Sequence, residues 1–209
     1  MDFNDTSKEA EFRQRVREFL DQNAEKRVNS KQAEVSSAGA PETVQGGAEA
    51  AKIALNNAKE WQKKKAEAGF AAILWPKEFG GYGGTPIEQV IYQQEEHNYF
   101  VHSGYFEIGI GMLGPTMMVW GKDEDKKRYL PKMITGEEIW CQLFSEPSAG
   151  SDLAGIRMKA EKDGDEWVLN GQKVWTSGAH FADYGMVVAR SDPSALKHKG
   201  LTYFFLDMK

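Results

Sequence analysis

Hydrophobic residues follow a helical period from the N-terminus to about residue 138 and a two-residue period beyond it. The first helix is predicted by a capping box, Thr6 with Glu9, in which each side chain accepts a hydrogen bond from the other residue's backbone amide. Four large hydrophobic residues then recur on one face: Phe12, Val16, Phe19 and Leu20. This pattern predicts an amphipathic helix.

Residues 29–49 contain few large apolar side chains. Burial there cannot offset the entropy of a fixed conformation, so the sequence predicts a mobile loop. A second helix is expected over about 50–68, ending at Gly69, whose missing Cβ permits a left-handed cap. Its inward face is predicted to consist of Ile53, Leu55, Ala58 and Trp61.

Residues 73–84 read ILWPKEFGGYGG, which is rich in glycine but matches neither phosphate-binding pattern. Pro86 stands where a third glycine would be needed for a dinucleotide fingerprint, and no Gly-Lys-Ser/Thr follows. The segment is therefore interpreted as a rigid turn between helices.

Three further helices are predicted before the pattern changes. The first begins at a second capping box, Thr85 with Glu88, and runs to about Phe100. A glycine-rich apolar helix follows over about 107–120. A short helix then starts with three acidic residues, as the helix dipole favours, and ends near Pro131.

From residue 139 the alternation is typical of strands, which are predicted over 139–146, 156–162, 166–170, 173–177, 184–190 and 201–208. Asn170-Gly171 is a strong signal for a hairpin joining two of them, and Asp163-Gly164 indicates another. The expected fold class is α+β: an all-α domain over 1–138, followed by an antiparallel β-barrel or sandwich domain over 139–209. Because the last strand carries apolar residues that need cover, the β domain is expected to be incomplete.

Composition narrows the possible functions. The chain has 209 residues, 26 basic and 31 acidic, and its net charge of −5 argues against binding to nucleic acid. One cysteine, Cys141, excludes a disulfide framework and a four-thiolate zinc site within one chain. His97 and His102 lack the spacing of a helical metal site, so no metal is predicted. No membrane span and no export leader is recognised, and the expected location is cytoplasmic.

The candidate chemistry lies where the two patterns meet. Residues 140–153 form a strand that runs into a turn of small residues, whose edge amides and hydroxyls suit a flat polar ring and an anion. Residues 171–179 place Trp175 beside two hydroxyls. These features fit a cofactor site, and they also fit an ordinary hairpin with a loop rich in serine and glycine; composition does not choose between the two.

The run SEPSAGSD at 145–152, followed by GQKVWTSGA at 171–179, resembles the two flavin-contacting signatures of the acyl-CoA dehydrogenase family. Supporting likeness is found in WPKEFGG at 75–81, LPKMITGE at 130–137 and HKGL at 198–201. WCQ at 140–142 together with WTS at 175–177 is similar to a bacterial branch of this family, which includes enzymes that oxidise bulky or sterol-derived acyl-CoAs.

The resemblance implies that FAD lies between the middle β domain and the helical domains. The implied flavin contacts are Gln142, Leu143, Phe144, Ser145, Trp175, Thr176 and Ser177. Ser145 would donate a hydroxyl to the ring, and Ser177 stands where the family usually has threonine. Gly150 and Ser151 would reach the FAD phosphates, and Ser151 would also contact the substrate.

The implied reaction is α,β-dehydrogenation of an acyl-CoA thioester, with an electron-transfer flavoprotein as acceptor and a dimer or tetramer as the full-length form. In this family the base is a glutamate of a C-terminal helical domain, which has no counterpart in these residues. No catalytic residue is therefore assigned, and Glu146 and Asp152 are not taken as the base. Two alternatives remain: a flavin monooxygenase or acyl-CoA oxidase of the same fold, and a non-catalytic fragment or partner subunit that supplies part of a flavin site.

Overall fold

A computed structural model describes residues 4–27 and 47–209 of the chain. These residues divide into two compact units, Met1–Glu137 and Glu138–Lys209. The first unit is helical and the second is built on a β-sheet, so the predicted order of a helical part followed by a sheet is confirmed. No helix in the described residues is long and apolar enough to cross a membrane.

In residues 4–27 and 47–137, the helical unit contains five α-helices and one short antiparallel ribbon. The helices are α1 (Ser7–Asn23), α2 (Gly47–Glu67), α3 (Pro86–Glu96), α4 (Gly114–Trp120) and α5 (Asp123–Thr135). The ribbon pairs β1 (Glu25–Lys26) with β2 (Tyr99–Phe100) and was not predicted. It explains why α3 ends before Phe100: the chain leaves the helix to form β2.

Both predicted capping boxes are confirmed. At the start of α1, Glu9 N–H donates to Thr6 Oγ1 over 3.3 Å, and Thr6 N–H donates to a carboxylate oxygen of Glu9 over 2.7 Å. The same reciprocal pair joins Thr85 and Glu88 at the start of α3. Each box satisfies amides that would otherwise lack partners in the first turn, which is why these two helices start where the sequence predicts.

The predicted inward face of α2 is partly wrong. Ile53 is 53 % exposed, whereas Ala58 and Trp61 are buried as expected. Gln62 is also buried, and its amide donates to Ile134 O over 2.9 Å. The helix begins at Gly47, so residues 47–49 of the predicted loop are helical, and the rest of that loop, residues 29–46, lies outside the described residues.

The core of the helical unit is largely aromatic, and it confirms the apolar face predicted for α1. Its buried members come from α1, α2, the segment that follows α2, α3 and β2: Phe12, Val16, Leu20, Trp61, Phe70, Ile73, Ile91, Tyr92 and Tyr99. Phe12 and Phe70 meet edge to face with their ring centroids 6.0 Å apart. Arg15 lies over this group, 5.5 Å from the Phe12 centroid, where its charge faces the ring electrons.

The predicted helix over 107–120 contains a π-helical segment, Gly109–Leu113, which runs into α4. Pro115 explains it, because proline has no N–H for the helical ladder. The Gly114 N–H bonds Gly109 O, five residues back, so Ile110 O is left without a helical donor. The indole N–H of Trp75 donates to that carbonyl over 2.8 Å.

The glycine-rich segment 73–84 is a turn, as predicted. Trp75 is 3 % exposed and lies between two glycines. A Cβ on Gly114 would lie 2.1 Å from the indole, and one on Gly81 would lie 2.1 Å from Trp75 O. These glycines therefore permit close packing of a tryptophan. The helix predicted to end near Pro131 is longer than expected, since α5 continues past Pro131 to a left-handed cap at Gly136.

The sheet unit contains β3 (Trp140–Leu143), β4 (Lys159–Asp163), β5 (Glu166–Asn170), β6 (Tyr184–Arg190) and β7 (Leu201–Asp207). β6 lies centrally, with β7 antiparallel on one edge. On the other edge β3 and the start of β4 follow one another, both parallel to β6. The expectation of a wholly antiparallel sheet is therefore wrong. The 40 residues between β3 and β6 are long enough for the crossover that a parallel pair requires.

The predicted strand over 173–177 is not formed, and Asn170-Gly171 does not join two strands. The hairpin in this region is the other predicted one: Asp163 pairs with Glu166 across Gly164-Asp165, joining β4 to β5. Gly164 has φ 59°, as such a turn requires. A strand over 173–177 is blocked at Trp175, whose φ of 58° is left-handed.

Candidate functional site

Strand β3 delivers the first candidate segment. Trp140 and Cys141 are buried, and Gln142 is half-buried. Leu143 is 8 % exposed and packs in the core of the sheet unit, so only its backbone is available to a ligand. Phe144 is half-buried, and its ring lies 5.6 Å from that of Tyr203. The strand thus presents backbone groups and the Gln142 amide more than apolar side chains.

Glu146 follows the strand in a tight turn and is buried. Its backbone exchanges two hydrogen bonds with Ala149. Its carboxylate accepts from Arg157 N–H over 2.7 Å, from Met158 N–H over 2.9 Å and from the Lys173 ammonium over 2.9 Å. Burial alone would raise the pKa of this carboxyl, but the donors from Arg157, Lys173 and Met158 bring it below its ordinary value. Glu146 is therefore a charged structural acceptor.

The second candidate segment is tied to the first at this point. Val174 N–H donates to Ser145 O over 2.9 Å, and the Lys173 ammonium donates to Phe144 O over 2.9 Å as well as to Glu146. Residues that are 27 to 29 positions apart in sequence are thereby joined. The structure thus brings the segments of Ser145 and Trp175 together.

Trp175 is 92 % exposed and has a left-handed backbone. A bulky residue with positive φ is strained, and its apolar ring gains nothing from solvent. Next to it, the Thr176 hydroxyl oxygen is buried and has no hydrogen-bond partner in the described residues. Ser177 is exposed. Three successive residues therefore offer an exposed ring, a buried hydroxyl without a partner and an exposed hydroxyl. This arrangement fits a flat ligand with polar edges.

The turn after Glu146 exposes Gly150 and Ser151. A Cβ on Gly150 would have no atom within 4 Å, so the backbone there is open to a ligand. In the residues that the structure describes, no hydrogen bond or ring contact links Gly150 or Ser151 to 175–177. This part of the predicted site lies close to Glu146 in sequence, and no hydrogen bond or ring pair of the described residues ties it to the tryptophan loop.

Two predicted exclusions bear on the chemistry. Cys141 is 1 % exposed, and burial raises the pKa of its thiol to about 11, so it is a packing residue. Within residues 4–27 and 47–209, no group of three or more histidine, cysteine, aspartate or glutamate side chains is placed to hold a metal ion.

Sequence reasoning missed Lys173, which joins the two segments. A signal existed, because Lys173 and Glu146 both lie inside the candidate runs and have opposite charge. Their pairing could not be derived without knowing that the 173–174 backbone crosses residues 144–146. The left-handed backbone of Trp175 had no signal, since tryptophan does not favour it.

Comparison with known proteins divides the chain close to the boundary between the helical unit and the sheet unit. The family model for the N-terminal domain of acyl-CoA dehydrogenases matches residues 6–137, and the model for the middle domain matches residues 141–209. Acyl-CoA dehydrogenase FadE34 of Mycobacterium tuberculosis is 44% identical over 158 residues, which are 76% of this chain and 22% of that protein. Acyl-CoA dehydrogenase IpdE1 of the same organism is 38% identical over 155 residues, 74% of this chain and 40% of that protein.

Solved structures agree. A steroid acyl-CoA dehydrogenase, Tcur3481-Tcur3483, matches 99% of this chain with 31% identity and a TM-score of 0.75. The ChsE4-ChsE5 complex from Mycobacterium tuberculosis matches 100% of this chain with 29% identity and a TM-score of 0.74. The chain spans 49% of the length of each of these structures, and well under half of the curated relatives.

Proposed function

The chain belongs to the acyl-CoA dehydrogenase family, and we propose that it supplies the helical domain (1–138) and the middle β domain (139–209) of an FAD-dependent enzyme. The reaction is removal of the α proton and β hydride of an acyl-CoA thioester. One observation carries the proposal: the segments of Ser145 and Trp175 are joined by the Val174 N–H to Ser145 O bond.

The described residues fit the cofactor. Trp175 offers an exposed ring that a flavin would stack against or border, and the buried Thr176 hydroxyl lacks the partner that a bound group would provide. Ser145 and Ser177 donate hydroxyls to the ring edge. Gln142, Leu143 and Phe144 line it with an amide and backbone groups. When bound, FAD accepts the β hydride.

The turn at Gly150 and Ser151 serves the phosphate end of the cofactor, and Ser151 also contacts the substrate. Both residues are exposed, and Gly150 leaves room for a close approach to the backbone. Hydroxyl and amide donors on a turn of small residues suit a phosphate or pyrophosphate.

The α proton goes to a carboxylate that we do not assign to this chain. Glu146 is unsuited to that task because three donors hold its carboxylate and lower its pKa. A base has to be supplied from elsewhere, in a further domain or a partner chain. The partners are therefore an acyl-CoA, an electron-transfer flavoprotein as acceptor, and an oligomer in which the site is completed.

The substrate class we favour is a bulky acyl-CoA. A solved structure that matches 99% of this chain is that of a steroid acyl-CoA dehydrogenase, and the chain carries an exposed glycine, Gly111, in the apolar helical segment before α4. A Cβ there would meet no atom within 4 Å.

The test is the visible spectrum of the purified chain with and without FAD, followed by anaerobic addition of straight-chain, branched and steroid-derived acyl-CoAs. Bleaching of bound flavin by an acyl-CoA supports dehydrogenation. Binding of FAD without bleaching supports the cofactor site and agrees with a base that lies outside these residues. Failure to bind FAD overturns the proposal that these residues hold the cofactor by themselves.

A matched pair of variants makes the test specific. Trp175→Ala should weaken FAD binding, whereas Trp120→Ala should not, although Trp120 is also highly exposed, at 83 %. Equal effects of the two variants would show that FAD binds nonspecifically to exposed tryptophan.

A second function is favoured by one finding. The prolyl acyl carrier protein oxidase AnaB matches 98% of this chain with 26% identity and a TM-score of 0.69. An oxidase or monooxygenase uses oxygen as its electron acceptor. Rapid reoxidation of the reduced flavin in air would favour that function, and slow reoxidation in air, made fast by an electron-transfer flavoprotein, would favour the dehydrogenase.

A further inference from the structure

The loop that carries Trp175 has no secondary structure to hold it. Residues 172–176 are neither helix nor strand, yet Trp175 keeps a backbone conformation that a large side chain disfavours. Such a conformation persists only where its surroundings fix it on both sides. The contacts on either side therefore show what determines the position of this ring.

On the far side, the chain folds back on itself. Ala179 N–H donates to Thr176 O over 3.3 Å, and Ala182 N–H donates to Gly178 O over 3.0 Å. Gly178 has φ 76°, and a Cβ there would lie 2.8 Å from the ring of Phe181. Backbone turns and packing therefore fix this side.

On the near side, the loop is held by charge. Lys173, two residues before Trp175, donates to Glu146 and to Phe144 O, each over 2.9 Å. Both charged side chains are only 5 % exposed. Glu146 also accepts from the backbone amides of Arg157 and Met158, so its carboxylate connects three separate segments.

A buried ion pair of this kind is an expensive way to gain stability. Removing two charges from water costs much of what their attraction returns, and apolar residues of similar volume often serve stability as well. The pair does fix relative position, because each hydrogen bond of Lys173 holds the Trp175 loop against the turn after β3.

We infer that Lys173 and Glu146 are positioning residues, which hold the Trp175–Ser177 loop in register with Ser145 so that the two halves of the flavin site face one ligand. The inference rests on the proposed function. Neither side chain needs to touch the cofactor, because each acts through the backbone that it fixes.

The test compares Lys173→Met and Glu146→Gln with Lys173→Arg and a control, Glu95→Gln. Glu95 is buried to the same extent as Glu146, at 7 % exposure, and it pairs with Arg13 and Arg17 in the helical unit. Three quantities are measured for each purified variant: the dissociation constant for FAD, the hydrogen exchange of the Val174, Arg157 and Met158 amides, and the thermal midpoint.

We expect Lys173→Met and Glu146→Gln to weaken FAD binding by about 10- to 100-fold, the usual loss when a group that orients a ligand contact is removed. Exchange of the three amides should accelerate in the same variants. Glu95→Gln should lower the thermal midpoint but leave the FAD constant within about twofold of the wild type. Lys173→Arg, which keeps the charge, should recover most of the affinity and the visible spectrum of the bound flavin.

The outcomes separate the two proposals. Wild-type FAD affinity in a folded Lys173→Met or Glu146→Gln variant overturns the positioning role and leaves the proposed function standing. Absence of FAD binding by the wild-type chain overturns the proposal that these residues hold the cofactor by themselves, and the positioning role with it. If Lys173→Met does not fold, Glu146→Gln decides: a loss of FAD affinity no larger than that of Glu95→Gln contradicts the inference.

Discussion

Trp75 and Trp175 both lie in glycine-containing segments that resemble family signatures, but the molecule treats them in opposite ways. Trp75 is 3 % exposed, whereas Trp175 is 92 % exposed. Glycines approach the Trp75 indole and backbone so closely that any Cβ would collide. Around Trp175 the chain instead holds a strained backbone and leaves the ring in solvent. The first arrangement maximises packing, and the second sacrifices it.

This difference teaches how to separate two kinds of signature residue in one chain. A tryptophan whose N–H is satisfied and whose ring is enclosed has its role in the fold: the Trp75 indole fills the hydrogen-bonding gap at Ile110 O. A tryptophan that stays exposed at a cost in backbone strain has its role toward something that the fold does not contain. Stability and cofactor affinity should therefore respond to different substitutions.

Removal of the buried Trp75 indole should have the largest effect on the free energy of unfolding. Trp75→Ala should lower the free energy of unfolding by about 3–5 kcal/mol, because it opens a cavity and leaves Ile110 O unpaired. Trp175→Ala should change it by no more than about 0.5 kcal/mol, as is usual for an exposed side chain. Urea unfolding of both variants measures this, and similar losses for the two would contradict the comparison.

Charge fixes the near side of the Trp175 loop through Lys173 and Glu146, so the stability of the protein should depend on the ionisation of Glu146. The pKa of Glu146 in the folded protein lies below its ordinary 4.5. Its contribution to the free energy of unfolding is therefore fully present above pH 4.5 and is lost as the pH falls through the folded-state pKa. Glu146→Gln should cost about 1.5–3 kcal/mol at neutral pH, typical of hydrogen bonds to a charged group.

The gap in unfolding free energy between wild type and Glu146→Gln should therefore narrow as the pH is lowered below 4.5. Trp75→Phe is the control, since it removes a neutral hydrogen bond, and its gap should not follow this titration. A gap for Glu146→Gln that stays constant across this range would show that the carboxylate charge contributes nothing.

Substitution of a glycine near Trp75 by alanine should have a smaller effect on the free energy of unfolding. Gly114→Ala places a Cβ 2.1 Å from the indole and should cost about 1–3 kcal/mol through overpacking. Gly111→Ala, three residues earlier, meets no atom within 4 Å and should be neutral or stabilising by up to about 1 kcal/mol, because alanine favours helix. The two variants are compared by thermal unfolding. A Gly114→Ala variant as stable as the wild type would contradict the close packing.

The sequence predicts those features that depend on neighbouring residues. The two capping boxes lie where the pattern Thr-x-x-Glu places them, and the Asp163-Gly164 hairpin forms. The parallel pairing of β3 with β6 depends on a crossover of 40 residues, which no local pattern encodes. Asn170-Gly171 predicted a hairpin on local grounds and was overridden, since the residues that follow serve the Trp175 loop rather than a strand.

The candidate site divides in the same way. Ser145 and Trp175 are predicted as site residues because each lies in a recognisable run of residues. That their segments are joined, and that Lys173 joins them, depends on the backbone path between residues 144 and 174. The π-helical segment before α4 depended on Pro115 together with a distant donor, Trp75, and only the proline was visible in the local sequence.

The smallest expected effect concerns the strain at Trp175. Because glycine tolerates positive φ, Trp175→Gly should be more stable than Trp175→Ala by about 1 kcal/mol, although both remove the ring. Lys197 provides a matched position: it has φ 46° and is exposed, so Lys197→Gly should gain over Lys197→Ala to a similar extent.

Substitutions at the two positions should then differ in their effect on FAD affinity. Both Trp175 variants should bind FAD less tightly than the wild type, whereas neither Lys197 variant should. Chemical unfolding and FAD titration of the four proteins provide the measurements. If Trp175→Gly proved less stable than Trp175→Ala, the backbone at this position would not be strained, and the argument that the fold holds the ring outward against a cost would fail.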